Sequence, residues 1–384
     1  MNTPTLGLYV HIPFCRQKCV YCDFYSLSGS ESRMDEYTAA LCGHIAASAP
    51  RAAAHTVDTV YFGGGTPSYL GAERLCRILN TIFDHYTVSD GAEITFEANP
   101  DSARDITALK QLRAAGFNRI SLGMQSADDT ELKEIGRIHT HAEAREAVAA
   151  ARAAGFDNLS LDLIYGLPHQ TMERWQENLA AAVALEPEHL SCYGLKVEPG
   201  TPLYARRATA CLPDDDAQAD LYLYTVDYLA RQGYGQYEVS NFARPGRESR
   251  HNLKYWVLGE YLGFGPGAHS DFGGERFAVS RDLNAYIRGV AAGDVPLSER
   301  ETIAPLQRES EWLMLKARTA GGIAPVDYEG RFDRSFAPYE GFLNQCRRAD
   351  YVVFENGSWH LTAQGFLVSN QIIGELLDIL AEQT

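Results

Sequence analysis

The sequence predicts an α/β fold, a parallel sheet that is open or partly closed, followed by a smaller C-terminal helical unit. From Leu6 to about Val239, six short β-branched or aromatic runs alternate with Ala-, Leu-, Glu- and Arg-rich stretches. That is the rhythm of repeated strand–helix units. Two of the units are also alike, LRAAGFNRISLG at 112–123 and ARAAGFDNLSLD at 151–162.

The first run, LGLYVHI, leads directly into Cys15, Cys19 and Cys22 at C-x3-C-x2-C spacing. The next five are TVDTVYFGGG, EITFEANP, FNRISLGMQS, FDNLSLDLIYG and HLSCYGLKVEPG. In the two similar units Gly116 and Gly155 stand where a helix end wants a left-handed residue, and a strand follows at once. Gly63-Gly64-Gly65-Thr66, Glu97, Gln125 and Asp162 each lie at or just past an apolar run. Taken singly, each is as readily a turn or cap residue. Four successive strands ending this way point to one ligand-binding mouth at their carboxyl ends.

From Tyr237 to about Gly274 the rhythm stops. The stretch is rich in Gly and aromatics and has neither periodicity, so it reads as an ordered, packed connection. Beyond Glu299 come a helix around ESEWLMLKA, another helix, and the hairpin YVVFENGSWHLT with an Asn356-Gly357 type I′ signal. A last helix runs from Thr362, as N-cap, to Leu380. The chain thus divides into 1–236, the core with the ligand site; 237–298, a connecting segment; and 299–384, a helix–hairpin–helix unit of winged-helix-like pattern.

Composition narrows the function. The chain has 384 residues, 45% hydrophobic and 22% charged, as a globular protein with a sizeable core does. Its formal net charge of −16 argues against nucleic acid as a main partner. From Glu299 onward thirteen acidic residues face eight basic ones, a poor DNA-binding surface for a winged helix. No run is apolar and long enough for a membrane span, no secretory signal is evident, and no basic amphipathic helix advertises an anchor. A cytoplasmic protein with at most transient membrane contact is expected. Cys42, Cys76, Cys192, Cys211 and Cys346 are scattered singly and read as buried small hydrophobes rather than a disulfide framework.

Three thiols on one short loop leave several chemistries open. Structural zinc wants four ligands, commonly two C-x2-C pairs, and only Cys19 and Cys22 have that spacing. A redox dithiol leaves Cys15 unexplained. An iron–sulfur cluster suits soft sulfurs wrapped around a cubane, and three ligands leave one iron for an outside chelator.

C-x3-C-x2-C, with Tyr9 six residues upstream, Tyr21 before the last cysteine and GGGTP at 63–67, resembles the radical SAM enzymes. The resemblance implies a partial (β/α)6 barrel and a [4Fe–4S] cluster on Cys15, Cys19 and Cys22, with exchangeable S-adenosylmethionine (SAM) on the fourth iron. Reductive cleavage of SAM would yield a 5′-deoxyadenosyl radical. By the same resemblance Tyr9, Gly64, Gly65, Thr66, Glu97, Gln125, Arg137 and Asp162 are SAM contacts. Lys196 falls at a further contact position, where the family has a small residue. Bare glycines at 64 and 65 would let backbone approach the methionine moiety.

FGGGTPSYL, RISLGMQS and DLIYGLPHQT are similar to the oxygen-independent coproporphyrinogen III oxidase group over nearly the whole chain. Its oxidases carry a fourth cysteine where Phe24 stands here. Its HemW-type haem chaperone branch lacks that cysteine and carries H-N-x-x-Y-W, present as His251 to Trp256. The resemblance therefore implies haem as a further ligand, with His251 on the iron, Tyr255 and Trp256 against the porphyrin face and Asn252 orienting the loop. His269 is a second candidate contact. The implied partners are acceptor haem proteins, respiratory ones among them. The alternative is radical oxidative decarboxylation of coproporphyrinogen III. The residues leave the acceptor, covalent haem attachment and homodimerisation open.

Overall fold

A computed structural model describes residues 3–383. One sheet of twelve strands dominates the described residues, in the order β12-β11-β10-β9-β1-β2-β3-β4-β5-β6-β8-β7. Its centre is six parallel strands, β1 (Thr5–Ile12), β2 (Thr56–Gly64), β3 (Val88–Ala98), β4 (Arg119–Gln125), β5 (Leu159–Tyr165) and β6 (His189–Gly194). Each leads to a helix: Met34–Ser48, Ala72–His85, Ile106–Ala115, His141–Ala153, Met172–Val183 and Asp215–Arg231. This is the predicted (β/α)6 arrangement.

The period-two alternation of strands sorts side chains by face. One set, including Val60, Phe62, Ile94, Phe96, Ile120, Leu122, Leu159 and Leu161, belongs to the main apolar core. The alternate set is polar: Thr59 and Tyr61, Glu93, Thr95 and Glu97, Arg119 and Ser121, Ser160 and Asp162, His189 and Ser191. Local signals start and stop the helices. Asp105 caps Ile106–Ala115 by accepting from the Thr107 and Ala108 N–H groups, and Thr140 with Glu143 forms a capping box. The two predicted left-handed glycines, Gly116 (φ 118°) and Gly155 (φ 91°), end the paired repeats.

The segment 237–298, expected as a non-periodic connection, contributes to the sheet itself. Its β8 (Asn241–Ala243), paired with β7 (Gly235–Gln236) just ahead of the segment, extends it beyond β6. At the other edge β9 (Tyr261–Phe264) pairs parallel to β1. Then β10 (His269–Phe272), β11 (Glu275–Val279) and β12 (Leu297–Thr302) continue antiparallel. β7 to β11, of two to five residues, are too short to show periodicity, and β12 is exposed throughout, so the sequence reading missed them. HNLKYW, read as a loop, lies in the helix Arg250–Trp256. Ser249 is its N-cap, and the Ser249 side chain accepts from the Asn252 N–H.

A second apolar core, built around Trp312, Tyr328, Tyr339, Leu343 and Leu376, lies in the C-terminal unit. It joins the helices Pro305–Lys316, Pro325–Phe332 and Ala337–Arg348 to the hairpin β13 (Val352–Glu355) and β14 (Ser358–Leu361). Asn356 (φ 50°) and Gly357 (φ 80°) form the expected turn with both central residues at positive φ. Thr362 does act as a cap, but the last helix breaks at Val368 into Ala363–Leu367 and Ser369–Glu382. All eight cysteines are free; Cys76, Cys192 and Cys346 are buried as expected, whereas Cys42 is half-buried and Cys211 is exposed.

Charges tie the two cores together. Asp271 on β10 accepts from Arg308 at 2.7 and 2.9 Å and from Arg276 at 3.3 Å. Arg276 also reaches Glu311 through two 2.8 Å bonds. Asp271→Ala is expected to cost about 2 kcal/mol, because two part-buried guanidinium groups lose their shared acceptor. Urea unfolding measures this, and an unchanged midpoint would refute it.

Candidate functional site

The site is built where β1 and β2 end side by side. Their register aligns Ile12 with Gly64. The Gly65 and Thr66 N–H groups donate to the carbonyls of Ile12 and Phe14, both at 2.8 Å. The glycine run is therefore laced to the root of the cysteine loop. A Cβ at Gly65 would sit 2.8 Å from those same two carbonyl oxygens, and one at Gly64 (φ 108°) would run into the His11 imidazole. Glycine is thus demanded here by the chain's own close packing. This requirement stands beside the expected one, room for a methionine moiety.

The cysteine loop is pinned along its length. Cys15 N–H donates to the Leu27 carbonyl at 2.9 Å, Val20 N–H to Ile135 at 3.2 Å, and Leu203 N–H to Val20 at 2.9 Å. Tyr21 packs on the small apolar cluster of Ile135, Ile164 and Leu167. Two donors point at the sulfurs: Thr66 Oγ1 to Cys15 Sγ at 3.4 Å and Arg137 Nη1 to Cys19 Sγ at 3.5 Å. Burial pushes the Cys22 thiol up to about 11 and raises Cys15 as well. Both thiolates therefore form readily only when a cation shares their charge.

Arg137 is the hub between this loop and the strand ends. Its Nη2 donates to Asn99 Oδ1 at 2.7 Å and to the Gly123 carbonyl at 2.8 Å, while Asn99 in turn donates to Thr66 Oγ1 at 3.2 Å. Its buried Nε and the buried Oδ1 of Asp101 have no partner. Gln125, beside them, holds φ at 64°, a conformation uncommon for a residue with a side chain.

Glu97 accepts from Tyr61 Oη at 2.9 Å and from the Gly64 N–H at 3.2 Å. Asp162 accepts from Ser121 Oγ at 3.1 and 3.2 Å. Burial, and then the neighbouring Asp162 charge, push Glu97 up to about 7; burial raises Asp162 too. Tyr9 stacks on Tyr61 at 6.4 Å and hydrogen-bonds to His11 Nδ1 at 3.0 Å. The fold therefore gathers Tyr9, Gly64, Gly65, Thr66, Glu97, Gln125, Arg137 and Asp162 around the ends of β1 to β5. Lys196 is the exception, exposed two residues beyond β6. Asn99, Tyr61, Ser121 and Arg119 were missed by sequence reasoning; Asn99 in EANP was the one within reach, two residues past a chosen carboxylate.

His251 departs most from expectation. It is buried within the polar interior, 1% exposed. Nδ1 meets Thr59 Oγ1 at 2.9 Å, Nε2 meets Tyr255 Oη at 2.8 Å, and the ring stacks on Tyr61 at 5.2 Å. Its N–H and that of Arg250 donate to Glu93 at 3.0 and 3.1 Å. Lys254 crosses Gly7 to pair with Asp58 at 2.8 Å. Burial, helped by Lys254, pulls the imidazole down to about 3, so it is neutral. Both ring nitrogens already have partners, so neither is presented to an iron. Tyr255 turns its hydroxyl to His251 rather than offering a free aromatic face. His269 is exposed at the start of β10.

The residues fit a cluster with SAM. The three thiols share one pinned loop, and two of the sulfurs accept from hydrogen-bond donors, the kind of support that tunes cluster-bound thiolates. The unpartnered Arg137 Nε and the two raised carboxylates at the same strand ends suit a ligand bearing both carboxylate and cationic groups.

Fold and site together define a radical SAM protein, and the Radical SAM superfamily matches residues 9–182. Coproporphyrinogen III oxidase from Escherichia coli, itself described as a radical SAM enzyme, superposes with a TM-score of 0.84 at 26% identity, covering 97% of this chain and 89% of that one. Proteins named Heme chaperone HemW are similar over the full length. The Bacillus subtilis protein is 34% identical over 96% of this chain and 98% of its own, and the Escherichia coli K12 protein 36% over 97% and 98%. The Haemophilus influenzae protein is 35% identical over 96% and 97%. The chain belongs to the HemW family.

Two outcomes follow from this geometry. Thr66→Val deletes a donor to Cys15 while keeping shape, so iron content should persist and the cluster's midpoint potential should fall. An EPR-monitored redox titration giving the parent potential would disprove that role. In ligand-free protein, Glu97 favours the fold while protonated. Its contribution is full below about 4.5 and declines as pH rises toward about 7. Glu97→Gln should remove a decline on the order of 3 kcal/mol. Parallel stability–pH curves for the two proteins would count against it.

Proposed function

We propose that this protein is a haem chaperone, which binds haem and passes it to acceptor haem proteins, respiratory ones among them, in the cytoplasm. The observation that supports this is the full-length likeness to proteins named as heme chaperones. Phe24, 64% exposed where the oxidases have a fourth cysteine, agrees with it. Among the described residues no helix is long and apolar enough to cross a membrane, so contact with a membrane-bound acceptor would be transient.

In this reading Cys15, Cys19 and Cys22 hold a [4Fe–4S] cluster, and Tyr9, Gly64, Gly65, Thr66, Glu97, Gln125, Arg137 and Asp162 surround SAM. When bound, cluster and SAM supply one-electron reductive chemistry. The chain's own work is positional. Thr66 and Arg137 support sulfurs, and the Tyr21 cluster keeps water from one flank. Glu97 and Asp162 present acceptors to hydroxyl or ammonium groups, and the charge of Arg119 moderates both carboxylates.

The second reading is coproporphyrinogen III oxidation, favoured by the close superposition on that oxidase and by the retained cysteines. The two separate cleanly. Anaerobically reconstituted, haem-loaded protein is expected to pass its Soret absorption to a haem-depleted respiratory protein. It is expected to form no protoporphyrinogen from coproporphyrinogen III, SAM and reductant. Protoporphyrinogen formation without haem transfer would reverse the assignment.

A further inference from the structure

Gln125 ends β4 in a backbone form that a side chain disfavours. The Ser126 N–H donates to the Met124 carbonyl at 2.9 Å, closing a three-residue turn around Gln125 at φ 64°. A γ-turn of this hand is rare and strained. Such strain persists only where the surroundings fix it, and it collects at ligand sites.

Here the surroundings grip both flanks of the turn. On one side His139 Nε2 meets the Met124 carbonyl at 3.1 Å. On the other Asn178 Oδ1, from the helix Met172–Val183, accepts from the Ala127 N–H at 2.6 Å and meets Ser126 Oγ at 3.0 Å. Glu131 Oε2 gathers Ser126 Oγ at 2.6 Å, Asn178 Nδ2 at 2.8 Å and Gln170 Nε2 at 3.1 Å. Ser126, Glu131, His139 and Asn178 are each no more than 3% exposed. Bonds buried this deeply are costly to break.

The residue between the two grips is left free. The Gln125 amide makes no hydrogen bond to the chain among the described residues. It lies over Gly123, where a Cβ would come within 2.8 Å of Gln125 Nε2, 3.1 Å of Arg137 Nη2 and 3.2 Å of Asn99 Oδ1. The bare glycine and the strained turn thus bring three polar groups to one point, beside the cysteine loop that Arg137 also reaches.

We propose that Asn178, Glu131, Ser126 and His139 are positioning residues for SAM: they clamp the turn that keeps the Gln125 amide beside Arg137 and Asn99. This rests on the reading that Gln125 and Arg137 surround SAM, and adds to it the parts that touch no ligand. Without the clamp the turn would relax in the free protein to an ordinary backbone form. SAM binding would then have to restore the strained form, and affinity would fall accordingly. A network that only stabilised the fold would not act through Gln125.

A double-mutant cycle separates the two. SAM would be titrated into anaerobically reconstituted protein, followed by equilibrium dialysis and by the EPR spectrum of the reduced cluster. Asn178→Ala should weaken SAM binding about tenfold or more, a factor equal to about 1.4 kcal/mol and inside the range of such strain. Iron content and circular dichroism should match the parent. Gln125→Ala should weaken SAM as well, and adding Asn178→Ala to it should lower affinity little further, because the residue being positioned is gone. Glu131→Gln, which keeps an acceptor oxygen, should bind SAM nearly as the parent does. Ser126→Ala is the mildest cut into the network and repeats the cycle where Asn178→Ala does not fold. Equal losses of SAM affinity in the parent and in the Gln125→Ala background would overturn the clamp. So would parent-like affinity in both Asn178→Ala and Ser126→Ala. A parent that binds no SAM would bring down the SAM reading itself, and the clamp with it.

Discussion

The lacing of Gly65 and Thr66 to the carbonyls of Ile12 and Phe14 is the constraint from which the site follows. β1 and β2 are parallel neighbours, so their loops leave the sheet together, and two 2.8 Å bonds hold them in contact for one turn more. This brings the Thr66 hydroxyl to Cys15 and leaves Asn99 at the end of β3 to bridge Thr66 and Arg137. A side chain at Gly65 would break the lacing by collision with backbone oxygens, which cannot swing aside as a side chain would. The cysteine loop has no regular structure of its own. Its shape is borrowed from this contact and from the Val20 bonds to Ile135 and Leu203.

The interior of the sheet poses the opposite problem. Its inward face is polar, and polar groups away from water are costly unless paired. The chain meets this with neutral histidines and hydroxyls in series. Ser160 meets His189 at 2.7 Å, His189 meets Tyr237 at 2.8 Å, and His251 joins Thr59 to Tyr255. Burial holds His189 and His251 uncharged, so each can donate from one nitrogen and accept at the other. Arg119 is the buried cation among Glu97 and Asp162, its Nε without a partner. The helix Arg250–Trp256 closes the lower end of this interior, its first N–H groups bonded to Glu93.

The parts of this structure legible in sequence were those repeated or punctuated. Six strand–helix units, the left-handed glycines at 116 and 155, the Asn356-Gly357 turn and the residues ending β2 to β5 all leave local marks. What escaped was tertiary. β8 to β11 are too short for periodicity, and their pairing partners include strands far away in sequence. His251 illustrates a motif read in isolation, because nothing within HNLKYW reveals that Thr59 and Tyr61 already occupy its ring. Cys211 escaped because a lone cysteine carries no signal of exposure. Arg119 was not singled out, yet the alternation that turns Ser121 inward turns it inward too.

The position of the HNLKYW helix explains how so polar a motif is held in a protein interior. Its N-terminal half is held by Glu93, Thr59 and the Lys254–Asp58 pair, all on the strands that carry Tyr61 and Glu97 toward the cofactor mouth. Past its C-terminus, Leu258 packs on the C-terminal core. The helix therefore bridges the polar interior of the sheet and the second core. The stacked path from His251 through Tyr61 to Glu97 then joins that helix to the carboxylate nearest Gly64.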